Sequence, residues 1–366
     1  MEDEKWVIDL ENEKKYSRGY HSNLEALNTA LTQCYEQTVT QSQSTTLKVN
    51  TLVATSGMHA ITIAIETAVS KFNGCNLIFG NELYCDSTSS LTSRKDVNLF
   101  PVDVTDMDAI CVLFEQLDGQ NNILFIESCS NPSGHIFDFR MISEFRRLSK
   151  SLLVIVDNTW LTHVVLNPFE FDVDVVVASL TKYYSAGTII AGVCLFHDKH
   201  KDLFAHACSM MRWIHISGYD CTLINHNLST MNERLAHSSG LTVALLKELQ
   251  SLNEPKLIKL THPFLENHPS HELAKIFFNT TAEGVQLYPS CLTFNITGPS
   301  MNKFRKVMKA HQVLDYITSF GCPMSRVDPY PRRDATDKSI RVRFAVGYRD
   351  SVQRNMEGLH NILEQC

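Results

Sequence analysis

The sequence predicts an α/β fold built on a mainly parallel sheet, followed by a smaller α+β part, on three observations. Five short runs are apolar along almost their whole length: "NLIFG" (76–80), "ILFIES" (123–128), "LLVIVDN" (152–158), "DVVVAS" (174–179) and "AGVCLF" (191–196). Amphipathic helical patterns, "DMDAICVLFEQL" and "MISEFRRLSK", separate some of them. Strands without a polar face need cover on both sides, which a sheet between two helical layers supplies. From about residue 222 the rhythm changes to mixed strand and helix. The chain has 366 residues, 44% of them hydrophobic and 20% charged, enough for one large core and a second, smaller one. The expected divisions are an N-terminal arm and helix at 1–36, a large domain at 37–232 and an α+β domain at 233–366.

Taken in order, residues 1 to 15 are polar and read as an arm. "SNLEALNTALTQCYE" places Leu24, Leu27, Leu31 and Tyr35 at helical spacing, with Asn23 as the expected N-cap. "QTVTQSQSTTLKVN" (37–50) is polar and reads as a loop. "GMHAITIAIETAVSKF" is a helix whose start, Ser56-Gly57, is small. After the five strands, "NHNLSTMNERLAHSSGLTVALLKELQ" predicts one long helix or two abutting ones. "HPSHELAKIF", "CLTFNIT", "SMNKFRKVMKAHQVLDYI" and "SIRVRFAVG" alternate helix and strand, and "DSVQRNMEGLHNILEQ" is a final amphipathic helix.

Composition narrows the function classes. The net charge of -7 comes without a long basic run, which argues against nucleic acid and anionic membrane as partners. No uncharged stretch reaches membrane-spanning length, and the charged N-terminus lacks the apolar core of a signal peptide. Eleven scattered cysteines without a Cys-x-x-Cys pair suggest reduced thiols in a cytoplasmic setting. Fifteen histidines lack metal-ligand spacing, since "HELAK" (271–275) ends in lysine, so no metal site is expected.

Chemistry gathers at the carboxyl ends of the strands, where ligands of such sheets bind. Glu127 closes one strand, Asp157 another, and Ser179, Thr181 and Lys182 a third. A lysine at the end of an apolar strand, flanked by hydroxyls, suits a Schiff-base nucleophile of depressed basicity. A carboxylate such as Asp157 can keep a pyridine nitrogen protonated, and the helix start at Ser56, Gly57 and Met58 can take a phosphate. Tyr84 is placed to stack on a ring. On spacing alone, a capping role for Asp157 and a snorkelling strand end for Lys182 remain equally open.

The segment "VDNTW…NPFEFDVDVVVASLTKYY" resembles the stretch from the pyridine-binding aspartate to the Schiff-base lysine in the cysteine/methionine-metabolism enzymes. These are pyridoxal-phosphate enzymes that include cystathionine γ-synthase, cystathionine γ-lyase, methionine γ-lyase and cystathionine β-lyase. "YSRGYHSNLEAL", "ATSGMHAI", "NELYCDS", "ESCSNPSG", "HPSHELAK", "SFG" (319–321) and "RVRFAVG" (341–347) resemble further family segments, in the same order. The resemblance implies the fold type I, aspartate-aminotransferase-like architecture with a seven-stranded sheet, and pyridoxal 5'-phosphate as cofactor. It implies Lys182 as the Schiff-base lysine, Asp157 on the pyridine nitrogen and Tyr84 stacked on the ring. It implies Ser56, Gly57, Met58, Ser179 and Thr181 around the phosphate, with Tyr16 and Arg18 reaching it from a neighbouring subunit. Asn131, Ser319 and Arg343 would hold the substrate carboxylate, with Arg341, on the same strand face, as the competitor for the last role. The implied activity is γ-elimination or γ-replacement on a cystathionine-, methionine- or O-acylhomoserine-like amino acid. The alternatives are a β-lyase on cysteine-type substrates and a non-catalytic protein that keeps the fold. The implied assembly is a homodimer at least, with a homotetramer as the further option.

Several positions depart from the family pattern. Fifteen residues precede Tyr16, where relatives usually carry a longer arm that joins dimers into tetramers. Tyr20-His21-Ser22-Asn23 stands in place of Gly-Asn-Pro-Thr, Cys85-Asp86 follows Tyr84 in place of glycines, and "YYSAGTI" follows Lys182. Met324 stands where cystathionine enzymes often carry glutamate. A complete cofactor set with an altered pocket predicts a divergent member acting on an unusual amino acid.

Overall fold

The computed structural model describes residues 21–37, 47–252, 254–310, 313–329 and 339–366; Tyr16 and Arg18 lie outside them. Helix α1 (Ser22–Gln37) precedes β1 (Val49–Ala54) and α2 (Gly57–Lys71). Next come β2 (Asn76–Gly80), α3 (Cys85–Thr92), β3 (Asn98–Val102), α4 (Met107–Gln116), β4 (Asn122–Glu127) and α5 (Met141–Leu148). The chain continues through β5 (Leu152–Asp157), the short α6 (Thr162–Val165), β6 (Val175–Ser179), β7 (Gly192–His197) and α7 (Lys201–Met211). The seven strands lie in the order β1-β7-β6-β5-β4-β2-β3. The pairs β2–β3, β2–β4, β4–β5 and β5–β6 are parallel, and β7 runs against both its neighbours.

The apolar runs are explained by cover on both faces. Along β5, Leu153 and Ile155 enter a core with Ile61 and Ile65 of α2 and Leu203 of α7. Val154 and Val156 enter the opposite core with Leu27 and Leu31 of α1, Phe114 of α4 and Phe145 of α5. Each such side chain removed from water contributes about 1.5–3 kcal/mol, so neither face tolerates a polar stripe. The N-terminal helix is part of this large core, with Leu27, Leu31 and Tyr35 fully buried.

The rest of the chain forms α8 (Gly218–Leu228), α9 (Met231–Ser251), β8 (Leu257–Thr261), α10 (His271–Phe277), β9 (Cys291–Thr297) and α11 (Met301–Ala310). It ends in β10 (Arg326–Pro329), β11 (Ser339–Ala345) and α12 (Val352–Gln365). Its antiparallel sheet, β10-β11-β9-β8, packs Phe294, Val342 and Phe344 against Leu245 of α9 and Leu359 of α12.

The structure corrects several local expectations. Asn23 lies inside α1, and His21 does the capping: its Nδ1 accepts the Leu24 N–H at 3.1 Å. Val49 and Asn50, read as loop, already belong to β1. Strand β3, "NLFPV", escaped notice because it is a half-exposed edge strand carrying Pro101, and edges are where proline is tolerated. The pattern after 222 resolves into two helices, α8 and α9. Helix α11 covers Met301–Ala310 of the segment 300–317, and Leu314 packs on Gly358 of α12, where an added Cβ would lie 2.5 Å from its Cγ.

Candidate active site

Three neighbouring strand ends build the floor of one cavity. At the end of β5, Asp157 Oδ1 accepts both the N–H of Thr159, at 2.9 Å, and its hydroxyl, at 2.6 Å. The Thr159 hydroxyl oxygen accepts the Ser179 N–H at 2.8 Å, which locks the end of β5 to that of β6. The chain turns after Ser179 and presents Lys182 to the cavity. Lys182 Nζ donates to Ser319 Oγ at 2.9 Å and lies 5.2 Å from the ring centre of Phe320. Burial, followed by the nearby Arg343 guanidinium, holds the Lys182 amine below the ordinary lysine value. Burial pushes Asp157 up to about 6, against the Thr159 hydrogen bonds and the Lys182 charge.

The start of α2 closes one wall. Ser56 is its N-cap, in extended conformation, and its hydroxyl accepts the His59 N–H at 3.0 Å. The first N–H groups of an α-helix lack intrahelical partners and carry the positive end of its dipole. The approach of this turn to the sheet is close: a Cβ on Gly57 would lie 2.7 Å from Ser179 Cβ, and one on Gly192 2.1 Å from the Ser56 carbonyl oxygen. Only glycine fits at either place. Ser56, Gly57, Met58 and Ser179 all line the cavity. Thr181 does not; its hydroxyl donates to the Ala191 carbonyl at 3.3 Å and accepts the Ala191 N–H at 3.1 Å.

The opposite wall carries a buried guanidinium. Arg343, on β11, is 4% exposed. Its Nη1 donates to Asn131 Oδ1 at 3.2 Å, and its Nη2 to Thr318 Oγ1 at 3.1 Å and to Asp328 Oδ2 at 3.2 Å. Arg341 shares the strand face but opens onto an adjacent groove, with Nη1 3.8 Å from Glu82 Oε1, so Arg343 is the arginine in the cavity wall. Ser319 reaches Lys182 from a backbone with φ 97°. Tyr84, after β2, is 40% exposed at the cavity edge. Burial raises its phenol above the ordinary tyrosine value, and the Asp86 carboxylate raises it further through a hydrogen bond and its charge.

The structure thus brings Ser56, Gly57, Met58, Tyr84, Asn131, Asp157, Ser179, Lys182, Ser319 and Arg343 to one cavity, and leaves Thr181 behind its wall. Sequence reasoning missed Thr159, Trp160, Thr318 and Phe320, which also line it. Phe320 was adjacent to a named serine, but nothing in its spacing marked it. The set fits pyridoxal phosphate: a buried amine of lowered basicity for the aldehyde, a carboxylate for the ring nitrogen, and a glycine-opened helix start for the phosphate.

Residues 12–362 match the model of a family described as "Cys/Met metabolism PLP-dependent enzyme". A cystathionine beta-lyase of Schizosaccharomyces pombe is 25% identical over 314 residues, covering 85% of this chain and 76% of that protein. An L-methionine gamma-lyase of Fusobacterium nucleatum subsp. polymorphum is 24% identical over 325 residues, with the same coverage of both. Among solved structures, cystathionine gamma-lyase from Lactobacillus plantarum complexed with L-serine superposes with a TM-score of 0.78 at 19% identity, covering 99% of this chain and 91% of that one. At that identity the last likeness speaks for the fold.

Proposed function

The chain belongs to the Cys/Met-metabolism family of pyridoxal-phosphate-dependent enzymes, and from that premise we propose that it eliminates or replaces the γ-substituent of an amino acid of the cystathionine, methionine or O-acylhomoserine kind. The observation that carries the reading is the convergence of Lys182, Asp157 and the buried Arg343 on one cavity. Bound pyridoxal phosphate supplies an electron sink for a carbanion at the substrate Cα.

The chain's own residues do the remainder. Arg343 and Asn131 bind the substrate carboxylate, and the guanidinium fork fixes its orientation. Lys182 Nζ would hold the cofactor and, once freed by the substrate amine, would take the proton from Cα, give it up again and then, neutral once more, take the proton from Cβ; its lowered basicity keeps a fraction of it neutral and able to accept. Ser319 Oγ, at 2.9 Å, aims that amine. Asp157, oriented by Thr159, holds the proton-bearing ring nitrogen. Ser56, Gly57, Met58 and Ser179 hold the phosphate. Thr181 acts on that site indirectly, by fixing the turn that carries Lys182. Tyr84 stacks on the ring and, kept neutral by burial and Asp86, holds a proton for the departing group. Phe320 and Trp160 exclude water.

The runner-up is β-elimination from a cysteine-type substrate, favoured by the likeness to a cystathionine beta-lyase. Both reactions use the same lysine, aspartate and tyrosine. The deciding experiment gives the purified protein a panel of γ- and β-substituted amino acids, with and without cysteine, and follows oxo acid, ammonia and thioether separately. The expected result is a visible cofactor band and turnover of γ-substrates, both lost in Lys182→Ala. A Lys182→Ala protein that kept band and activity would overturn the assignment.

The assembly proposed is at least a homodimer, each site completed by Tyr16 and Arg18 of the partner chain. Exposed Trp213 and Ile214, just before the α8 helix on which α1 packs, and Tyr219 in its first turn support a subunit contact on that side. A cytoplasmic setting is proposed on the eleven scattered cysteines, which hold no Cys-x-x-Cys pair.

A further inference from the structure

Arg343 is held both from inside the cavity and from behind it. Its Cα is the register partner of the Asp328 Cα in the β10–β11 ladder. Directly opposed residues of an antiparallel pair point to the same face. Val327, Val342 and Phe344 enter the C-terminal core, so Asp328 and Arg343 share the face away from it. Asp328 Oδ2 accepts from Arg343 Nη2 at 3.2 Å. Asp328 stands outside the cavity lining, with its side chain 25% exposed. A carboxylate forks onto a guanidinium through Nη1 and Nη2 or through Nε and Nη2, and both ways use Nη2. That nitrogen has two N–H groups, and it already donates to Thr318 Oγ1 and Asp328 Oδ2. A substrate carboxylate that forks onto Arg343 therefore displaces one of these acceptors or shares a hydrogen with it. Thr318 is neutral, whereas the Asp328 carboxylate repels the newcomer.

We propose that Asp328 is the resident counterion of Arg343 and sets, by competing for it, how tightly the site takes a substrate carboxylate. The inference rests on the role proposed above for Arg343. In the empty site the pair offsets the cost of burying a guanidinium that is 4% exposed. When a carboxylate arrives, two anions share one cation, and each weakens the hold of the other. The place of Arg343 does not hang on Asp328. Asn131 Oδ1 and Thr318 Oγ1 also accept from it, and the Phe320 ring centre lies 5.9 Å from its Cζ. Removing the Asp328 charge leaves the guanidinium in position, with more attraction for an incoming anion. An oxo acid product keeps the carboxylate, so the same counterion favours its release.

The test compares wild type with Asp328→Asn, which keeps an acceptor for Nη2 and removes the charge. Glycine and glycinamide, amines with and without a carboxylate, are titrated against the cofactor absorption band of loaded protein. Thermal melting is followed without ligand. Asp328→Asn should bind glycine about tenfold more tightly, which is about 1.4 kcal/mol. Its glycinamide affinity should change less than about twofold, because no second anion is involved. Its unliganded melting point should fall, since a buried guanidinium loses its counterion. A merely structural Asp328 predicts lower stability with unchanged or weaker glycine binding, and that result overturns the proposal. An equal gain for glycinamide overturns it too. In an Arg343→Leu background, Asp328→Asn should change glycine affinity less than about twofold, and a gain that persists there is a third contrary result. If Asp328→Asn does not fold, Asp328→Thr, whose hydroxyl still accepts from Nη2, makes the same comparison. If loaded wild-type protein gives no response to glycine, the proposed function falls. Protection against heat by acetate then decides on Asp328: stronger protection of Asp328→Asn than of wild type supports the counterion, and equal protection overturns it.

Discussion

Ser319 holds a backbone conformation, φ 97°, that side chains rarely adopt, and its hydroxyl accepts the Lys182 amine. Such a position costs about 1–3 kcal/mol and persists where the surroundings impose it, often at a site of chemistry. Next to it, Gly321 at φ +77° passes over the Lys182–Tyr183 peptide, with room for no Cβ: one would lie 2.7 Å from Tyr183 N. The strained loop is therefore pressed onto the lysine turn. Ser319→Gly should relieve the strain and raise thermal stability by about 1 kcal/mol after the entropic cost of glycine. It should also lower kcat/KM, because Lys182 loses its hydroxyl partner. Thermal melting and steady-state kinetics on the same preparation check both directions. A variant both less stable and fully active would remove Ser319 from the aiming role. Thr159 is the other residue of this kind, a single hydroxyl joining Asp157 to the backbone of β6.

At the scale of elements, the ends of β5 and β6 opposite the cavity are held by a buried charge. Asp174, with a side chain 1% exposed, accepts the Val154 N–H at 2.8 Å. It pairs with Arg146 at 2.7 Å, Lys199 at 2.9 Å and His200 at 2.7 Å. Burial opposes its ionisation, but the His200 hydrogen bond and the charges of Arg146 and Lys199 outweigh it and hold Asp174 below the ordinary aspartate range. A folded value below the unfolded one stabilises the protein above the unfolded value, and that contribution is lost as pH falls through the folded one. Asp174→Asn should cost about 1.5–3 kcal/mol at neutral pH, the scale of hydrogen bonds to a charged group, since Asp172 still pairs with both Arg146 and Lys199. It should also flatten the acid limb of stability below the ordinary aspartate value. Urea unfolding across acid and neutral pH measures both. Helix α9 works differently: Met231 and Leu235 sit in the large core, while Leu245, Leu246 and Leu249 sit in the C-terminal one. The helix passes from one core to the other between Leu235 and Leu245, so that one rigid rod carries both.

For the whole molecule, the proposed site depends on a second subunit. If Tyr16 and Arg18 complete the partner's site, Arg18→Ala and Lys182→Ala chains are each inactive, yet a mixed dimer has one intact site of its two. Random subunit exchange between them should then restore about a quarter of wild-type activity, as two-fold symmetry requires. No recovery after demonstrated exchange would mean that each chain builds its site alone. The cavity itself lies between the large sheet and the C-terminal sheet, since Lys182 and Asp157 come from one and Arg343 from the other.

The amino-acid sequence by itself determined the two-layered cover of the sheet, because β-strands buried on both faces must be apolar between their ends, as in β4, β5 and β6. It also marked Lys182, Asp157 and the Ser56-Gly57 helix start as candidates for one site, because an amine, a carboxylate and a glycine-opened helix start are features that a residue type states directly, and the structure brings them to one cavity. Edge strands such as β3 and the end of α11 were not legible, since half-exposed segments carry weak periodicity. What only the tertiary structure decided were choices between residues of equal chemistry. Arg343 and Arg341 are both arginines on one strand face, and two residues of rise along β11 put one in the cavity and the other in the groove beside it. Ser179 and Thr181 are both hydroxyls at one strand end, and the turn after β6 gives the first to the cavity and the second to Ala191. Glu127 takes its partner Tyr84, and Thr159 its partner Ser179, from other segments altogether. Hydrogen bonds between loops distant in sequence leave no local pattern, and only packing brings them together.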